Sequence, residues 1–161
     1  KLVPIEEIKS PKLQKILSNM KEALESQEDG VAIAAPQIGV PLRIFVVSHR
    51  AFEVQGNLVK DNSLQDFEDT YKDLIFINPE IVKLSKKKEW LDEGCLSVRW
   101  LYGEVNRFTN ATVSAYDEHG EKFTRGAGGL LAQIFQHEID HLDGILFTDK
   151  AENIQEVLPQ K

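Results

Sequence analysis

Apolar positions recur at helical spacing near both ends of the chain and at strand spacing in between. After Ser10-Pro11 come Leu13, Ile16, Leu17, Met20 and Leu24 on one helical face, with Lys12, Lys15, Lys21, Glu22 and Glu25 around the rest. Ser10 suits the N-cap and Pro11 the first helical position, so the spacing predicts an amphipathic helix over residues 11 to about 28, closed by Gly30. Its stripe reads as core packing rather than a partner site. Residues 30–39 (GVAIAAPQIG) are small and apolar without a clear period, and residues 43–48 (RIFVVS) read as a strand. Residues 50–72 are polar, with Gly56-Asn57 and Asp61-Asn62-Ser63, and are expected to form a long surface loop. Residues 74–78 and 81–84 read as strand segments around Pro79, and Lys86-Lys87-Lys88 as a solvated strand or turn face. Residues 112–116 and 121–125 flank the turn signal Asp117-Glu118-His119-Gly120, which predicts a hairpin.

The last strong element spans residues 128 to about 143 and stops at Gly144. Leu130, Ile134, His137 and His141 share one face; Leu131, Phe135, Glu138 and Leu142 share the adjoining one. An apolar arc that wide belongs to a buried helix. A helix, several strands and then a buried helix suggest an α+β fold, and 161 residues suit one domain with its own core.

Charge removes several function classes. Asp and Glu total 26 against 19 Lys and Arg, a net charge of -7, with no basic block, which argues against nucleic acid or an anionic membrane as partner. No apolar run approaches the ~20 residues of a bilayer span. Lys1 through Glu7 lack the layout of a secretory signal, and the chain starts at Lys1 rather than Met, so processing is expected. The single cysteine, Cys95, allows no internal disulfide and favours a reducing compartment; a lone cysteine is also commonly a small buried hydrophobe.

The chemistry lies in His137-Glu138-Ile139-Asp140-His141. Histidines four apart project from one helical face and can reach one metal ion, and the Glu between them can take a proton from water. Two core histidines and a carboxylate with no such task would be costly to bury in this apolar face. A third ligand is needed. Phe147 stands where one class of zinc protease has a third His, and the chain reaches Lys161 too soon for the downstream Glu of another; Glu152 and Glu156 lie in a polar tail. Upstream, His49 at a strand end and His119 in the hairpin turn both read as exposed. Cys95, in Glu93-Gly94-Cys95-Leu96-Ser97, follows a glycine that allows close backbone approach, and a thiolate binds soft metals strongly. The favoured set is Cys95, His137 and His141 around one divalent ion, with a fourth position open to water.

These residues resemble the peptide deformylase family. Gly30-Val31-Ala32-Ile33-Ala34-Ala35-Pro36-Gln37 is similar to its first motif, Gly-x-Gly-x-Ala-Ala-x-Gln; Glu93-Gly94-Cys95-Leu96-Ser97 and Gln136-His137-Glu138-Ile139-Asp140-His141 match the second and third, in family order. The resemblance implies antiparallel β-sheets around a buried C-terminal helix that carries the His-Glu-x-x-His motif, with the amphipathic helix in front. It implies hydrolytic removal of the formyl group from formyl-methionine of newly made polypeptides, releasing formate. The reducing compartment suggested by the single cysteine reads as cytoplasm, with an organellar or viral origin open, and a monomer is the default expectation. Cys95, His137 and His141 become the metal ligands, with Fe²⁺ expected and Ni²⁺, Co²⁺ or Zn²⁺ able to substitute, whereas the ligand set alone favours zinc. Glu138 becomes the general base and acid. The Gln37 amide and the Leu96 N–H become donors to the carbonyl oxygen as it gains charge.

Substrate contacts implied in the same way are Val31, Ala32 and Ile33, whose backbone would pair with the peptide as with an added strand, and Gly94 on the other side. Leu91, Leu130, Ile134 and the His137 ring would line a pocket for the first side chain; as aliphatics they equally suit ordinary core. Three departures stand out: Ala32 replaces the usual second glycine of the first motif; Trp100 and Tyr102 follow the cysteine motif in place of a proline-bearing segment; and the tail, Ala151 to Lys161, is short and not basic, leaving at most a transient ribosome contact. Glu93 and Arg107 read either as a buried pair steadying the cysteine loop or as two surface charges. The rival functions are another His-Glu-x-x-His metallopeptidase and a catalytically silent deformylase-like peptide-binding protein. The first lacks its third ligand, and the second has no use for Glu138 and Gln37.

Overall fold

The computed structural model of the chain describes residues 1–27, 30–49, 51, 73–94 and 101–156. A short 3₁₀ turn, Ile5–Glu7, leads into α1, Pro11–Glu25. Ser10 caps α1 as expected, its hydroxyl accepting from the Leu13 N–H at 3.2 Å, with Pro11 at the first turn. The helix stops at Glu25, short of the position the spacing predicts. The last apolar stripe residue is Leu24, and the Ser26 hydroxyl donates to the Ala23 carbonyl at 2.6 Å, competing with a further helical turn. Ser10→Ala is expected to lower stability by about 1 kcal/mol, read as a shift of the urea midpoint at unchanged slope.

The strands follow as β1 (Ala32–Ala34), β2 (Ile44–Val47), β3 (Leu74–Leu84), β4 (Lys88–Gly94), β5 (Leu101–Phe108), β6 (Asn110–Tyr116) and β7 (Lys122–Gly128). A 3₁₀ turn, Ala35–Ile38, joins β1 to β2. Helix α2, Gly129–Leu142, a short α3, Phe147–Lys150, and β8, Glu152–Glu156, follow among the described residues. Among the described residues all pairing is antiparallel, in two sheets: a five-stranded one in the order β1-β2-β3-β6-β7 and a three-stranded one in the order β4-β5-β8.

The five-stranded sheet lies between the two long helices. Phe45, Val47, Phe76 and Val113 pack with Leu131, Phe135 and Ile139 of α2. Ile33, Ile44, Val46, Ile75 and Ile77 pack with Leu13, Leu17, Met20 and Leu24 of α1. Both faces of β2 are therefore dry, which is why its sequence is a continuous apolar run rather than an alternating one. Phe45 stacks on Phe76 at 4.5 Å between centroids, and Phe135 meets Phe76 edge-on at 5.2 Å, fixing α2 on the sheet.

Several elements differ from expectation. β3 is one strand rather than two segments around Pro79; it absorbs register irregularities, with Asn78 at φ 52°. Residues 152–156, expected as part of a polar tail, form β8 against β5. There Gly103 is required, because a Cβ would sit 2.9 Å from the Ala151 Cβ and 3.2 Å from the Glu152 carbonyl. The β4–β5 pair was not legible in the pattern. The expected loop over 50–72 lies outside the described residues except for Ala51, which is buried. Cys95, Leu96 and Trp100 also lie outside them.

Candidate metal centre

Helix α2 follows β7 directly, through Gly129 at φ 58°, a left-handed turn that a side chain would strain. That junction lays the helix across the sheet with His137, Glu138 and His141 all buried. The imidazoles meet edge-on, and their Nε2 atoms stand 3.1 Å apart. Two nitrogens each about 2.1 Å from one ion, at angles of roughly 95–110°, lie about 3.1–3.4 Å apart. Among the described residues, His137, Glu138 and His141 form the group able to hold a metal, with one donor atom from each lying within 4.8 Å of the others.

His137 is fixed from behind. Its Nδ1 lies 2.7 Å from Oε1 of Glu93 on β4. Glu93 accepts four hydrogen bonds: from Arg107 Nε at 2.7 Å and Nη2 at 2.8 Å, from Gln133 Nε2 at 3.2 Å, and from His137. Burial pushes the Glu93 carboxyl up, but the Arg107 fork and the His137 N–H together hold it down, at about 2. An ionised carboxylate only accepts, so the His137 proton belongs on Nδ1 and the Nε2 lone pair faces His141. Burial likewise disfavours the Arg107 charge, and Glu93 and Asp140 outweigh it, raising its pKa further.

Glu93 and Arg107 are thus the buried pair, both with side chains only 3% exposed. Arg107 Nη1 also donates to Asp140 Oδ2 at 2.7 Å, and Lys150 of α3 reaches Asp140 at 3.1 Å. Gln136 grips the end of β5: its amide donates to the Phe108 carbonyl and accepts from the Phe108 N–H, both at 2.9 Å. Gln133 donates to the Asp92 carbonyl at 2.9 Å. These polar contacts help dock the three-stranded sheet on α2. Sequence reasoning passed over Asp140, Gln133, Gln136 and Lys150. The available signal was the presence of three of them on a helix otherwise apolar enough to be buried, where a polar side chain needs a partner.

The remaining predicted residues fall as follows. Gln37 sits in the 3₁₀ turn that packs against α2, and its Oε1 accepts from the Ala34 N–H at 2.7 Å. Val31 is half-buried against the α2-side core, the Ala32 methyl is inside that core at 8% exposed, and Ile33 belongs to the α1-side core. Among the described residues β1 is an edge of the five-stranded sheet, and β4, ending at Gly94, is an edge of the three-stranded one. Leu91 and Leu130 are half-buried and Ile134 is in the α2-side core. The Phe147 ring lies 6.2 Å from the His137 ring. His119 is exposed, as read. His49 is only partly so, because Asp73 accepts from its backbone N–H at 2.9 Å and lies 3.0 Å from its Nδ1.

A sequence profile described as polypeptide deformylase matches residues 1–157. The chain is 42% identical to the peptide deformylase of Carboxydothermus hydrogenoformans over 151 residues, covering 94% of this chain and 84% of that protein. It is 40% identical to peptide deformylase 2 of Clostridium acetobutylicum over 144 residues, covering 89% and 81%. Among solved structures it is similar to a Synechococcus elongatus peptide deformylase in complex with actinonin, with a TM-score of 0.74 and 34% identity, covering 95% of this chain and 71% of that one.

Proposed function

The chain belongs to the polypeptide deformylase family, and on that footing we propose that Cys95, His137 and His141 hold one divalent ion while Glu138 moves the proton. Its activity is the hydrolytic removal of the N-terminal formyl group from newly made polypeptides. The observation that carries the site assignment is the pair of imidazole Nε2 atoms 3.1 Å apart beside a buried Glu138. Cys95 enters because Glu93, two residues before it, touches His137. Two neutral imidazoles and one thiolate leave a single positive charge on a divalent ion, a small burden for a partly dry site. The family resemblance supports Fe²⁺ as the resident metal.

When bound, the ion supplies the positive charge that acidifies water and polarises a carbonyl. The residues do the rest. Glu138 accepts a proton from the attacking water as its oxygen bonds to the formyl carbon. The Gln37 NH₂ and the Leu96 N–H donate to the formyl oxygen as it gains charge. The C–N bond then breaks, Glu138 passes the proton to the leaving nitrogen, and formate and a free N-terminal amine result. Glu93 keeps His137 in one tautomer throughout. The substrate backbone runs between β1 and β4, each an edge strand among the described residues, along Val31, Ala32, Ile33 and Gly94, and Leu91, Leu130, Ile134 and the His137 ring receive the methionine side chain. Residues 1–161 act as one catalytic domain and as a monomer. Any contact with a ribosome is at most transient.

The test is formate release. Loaded with Fe²⁺ without oxygen, the chain is expected to release formate from formyl-Met-Ala-Ser and to leave Met-Ala-Ser intact. Cleavage of internal peptide bonds without formate would replace this reading with a peptidase. Bound ion and bound peptide with no turnover would replace it with a binding protein. Cys95→Ser is expected to purify with well under one equivalent of metal by elemental analysis; a full equivalent would move the third ligand elsewhere.

A further inference from the structure

Behind the two imidazoles runs a line of alternating charge that ends at solvent. His137 Nδ1 meets Glu93, Glu93 is forked by Arg107, Arg107 Nη1 meets Asp140, and Asp140 meets Lys150, with every link between 2.7 and 3.2 Å. Asp140 touches neither imidazole through any contact in this line, and its side chain is 14% exposed. Lys150 stands at the outer end, 44% exposed. Arg107 therefore divides one positive charge between two carboxylates. The more of it Asp140 takes, the more electron density Glu93 keeps for the His137 N–H, and the stronger a donor the opposite nitrogen becomes.

We propose that Asp140 is a positioning residue that sets the ligand strength of His137 through Arg107 and Glu93, with Lys150 as its outer counterweight. This rests on the reading that His137 and His141 hold the ion. Charge and shape separate cleanly at this position. Asn keeps the volume and an acceptor for Arg107 but loses the charge; Glu keeps the charge but changes the reach. A packing role ranks Asn above Glu, and the proposed role ranks Glu above Asn. Removing the Lys150 charge leaves Asp140 with Arg107 as its one cationic partner in the line, so the His137 end does not weaken.

The test is Co²⁺ affinity of the full chain by competition with a chelator, beside the unfolding midpoint of the ion-free protein. Asp140→Asn is expected to weaken Co²⁺ binding about tenfold, within the range that partners behind a ligand command. Asp140→Glu is expected to bind more tightly than Asp140→Asn. Lys150→Met, at a half-exposed position where folding is not at stake, is expected to bind Co²⁺ at least as tightly as the parent chain. An Asp140→Asn affinity within twofold of the parent, a weaker Asp140→Glu, or a weakened Lys150→Met each overturns the proposal. A parent chain that takes up no Co²⁺ removes the ion site and this proposal together. One that binds Co²⁺ but releases no formate removes the activity and leaves the proposal standing.

Discussion

Glu138→Ala is expected to lower kcat for formyl-Met-Ala-Ser by roughly 10²–10⁴-fold while the protein keeps its metal. The carboxylate is buried between the two histidines in sequence and within 4.8 Å of their ligand atoms, so it is placed to take a proton from water and return it to the leaving nitrogen. The truncation removes that shuttle but no imidazole. Metal content by elemental analysis should stay near one equivalent, which separates this variant from Cys95→Ser. KM should move little, because binding rests on backbone edges and side-chain packing rather than on Glu138. A parent-like kcat at full metal content would remove Glu138 from the mechanism, and loss of metal along with turnover would make it a ligand instead.

Arg107→Met is expected to cost about 3–5 kcal/mol of stability, the largest stability loss of any single change considered for this chain. The guanidinium makes three hydrogen bonds to two carboxylates, and Glu93 beside it is as deeply buried. Removing the cation leaves the Glu93 carboxyl dry, with only Gln133 and His137 left to it. Breaking a buried pair from one side is costly for that reason, whereas replacing both partners with apolar residues need not be. Arg107→Lys should recover only part of the loss, since an ammonium cannot present the planar fork that Glu93 occupies. Urea unfolding of the ion-free protein measures both. An Arg107→Met loss below about 1 kcal/mol would mean that the pair is far better solvated than its burial shows.

The elements that follow an apolar period are legible in the sequence. Leu13, Leu17, Met20 and Leu24 placed α1, the run from Ile44 to Val47 placed β2, and the arc around Leu131, Ile134 and Phe135 marked α2 as buried. Each packs an apolar face on a neighbour, and periodicity reports that kind of packing. β4 and β5 were not legible because their inward face breaks the rule: Glu93 and Arg107 point to the interior beside Leu91 and Val105, while Trp90 stays half-exposed outside. A buried charge pair looks like a surface in one-dimensional pattern. β8 was hidden for a related reason, since all five of its residues are exposed and show no apolar alternation.

The same division runs through the metal centre. Histidines four apart on a helix, with a glutamate between, define a metal-facing surface wherever that helix forms, because 3.6 residues per turn brings them to one side. Local chemistry therefore specified His137, Glu138 and His141 along the chain. It left Glu93 and Arg107 open between a buried pair and two surface charges, and it did not reach the contact of Glu93 with His137, 44 positions away, or that of Arg107 with Asp140. Those contacts exist because the three-stranded sheet docks on α2, and docking joins residues by distance in space, on which spacing along the chain is silent. Which nitrogen of His137 keeps its proton depends on one such long-range contact.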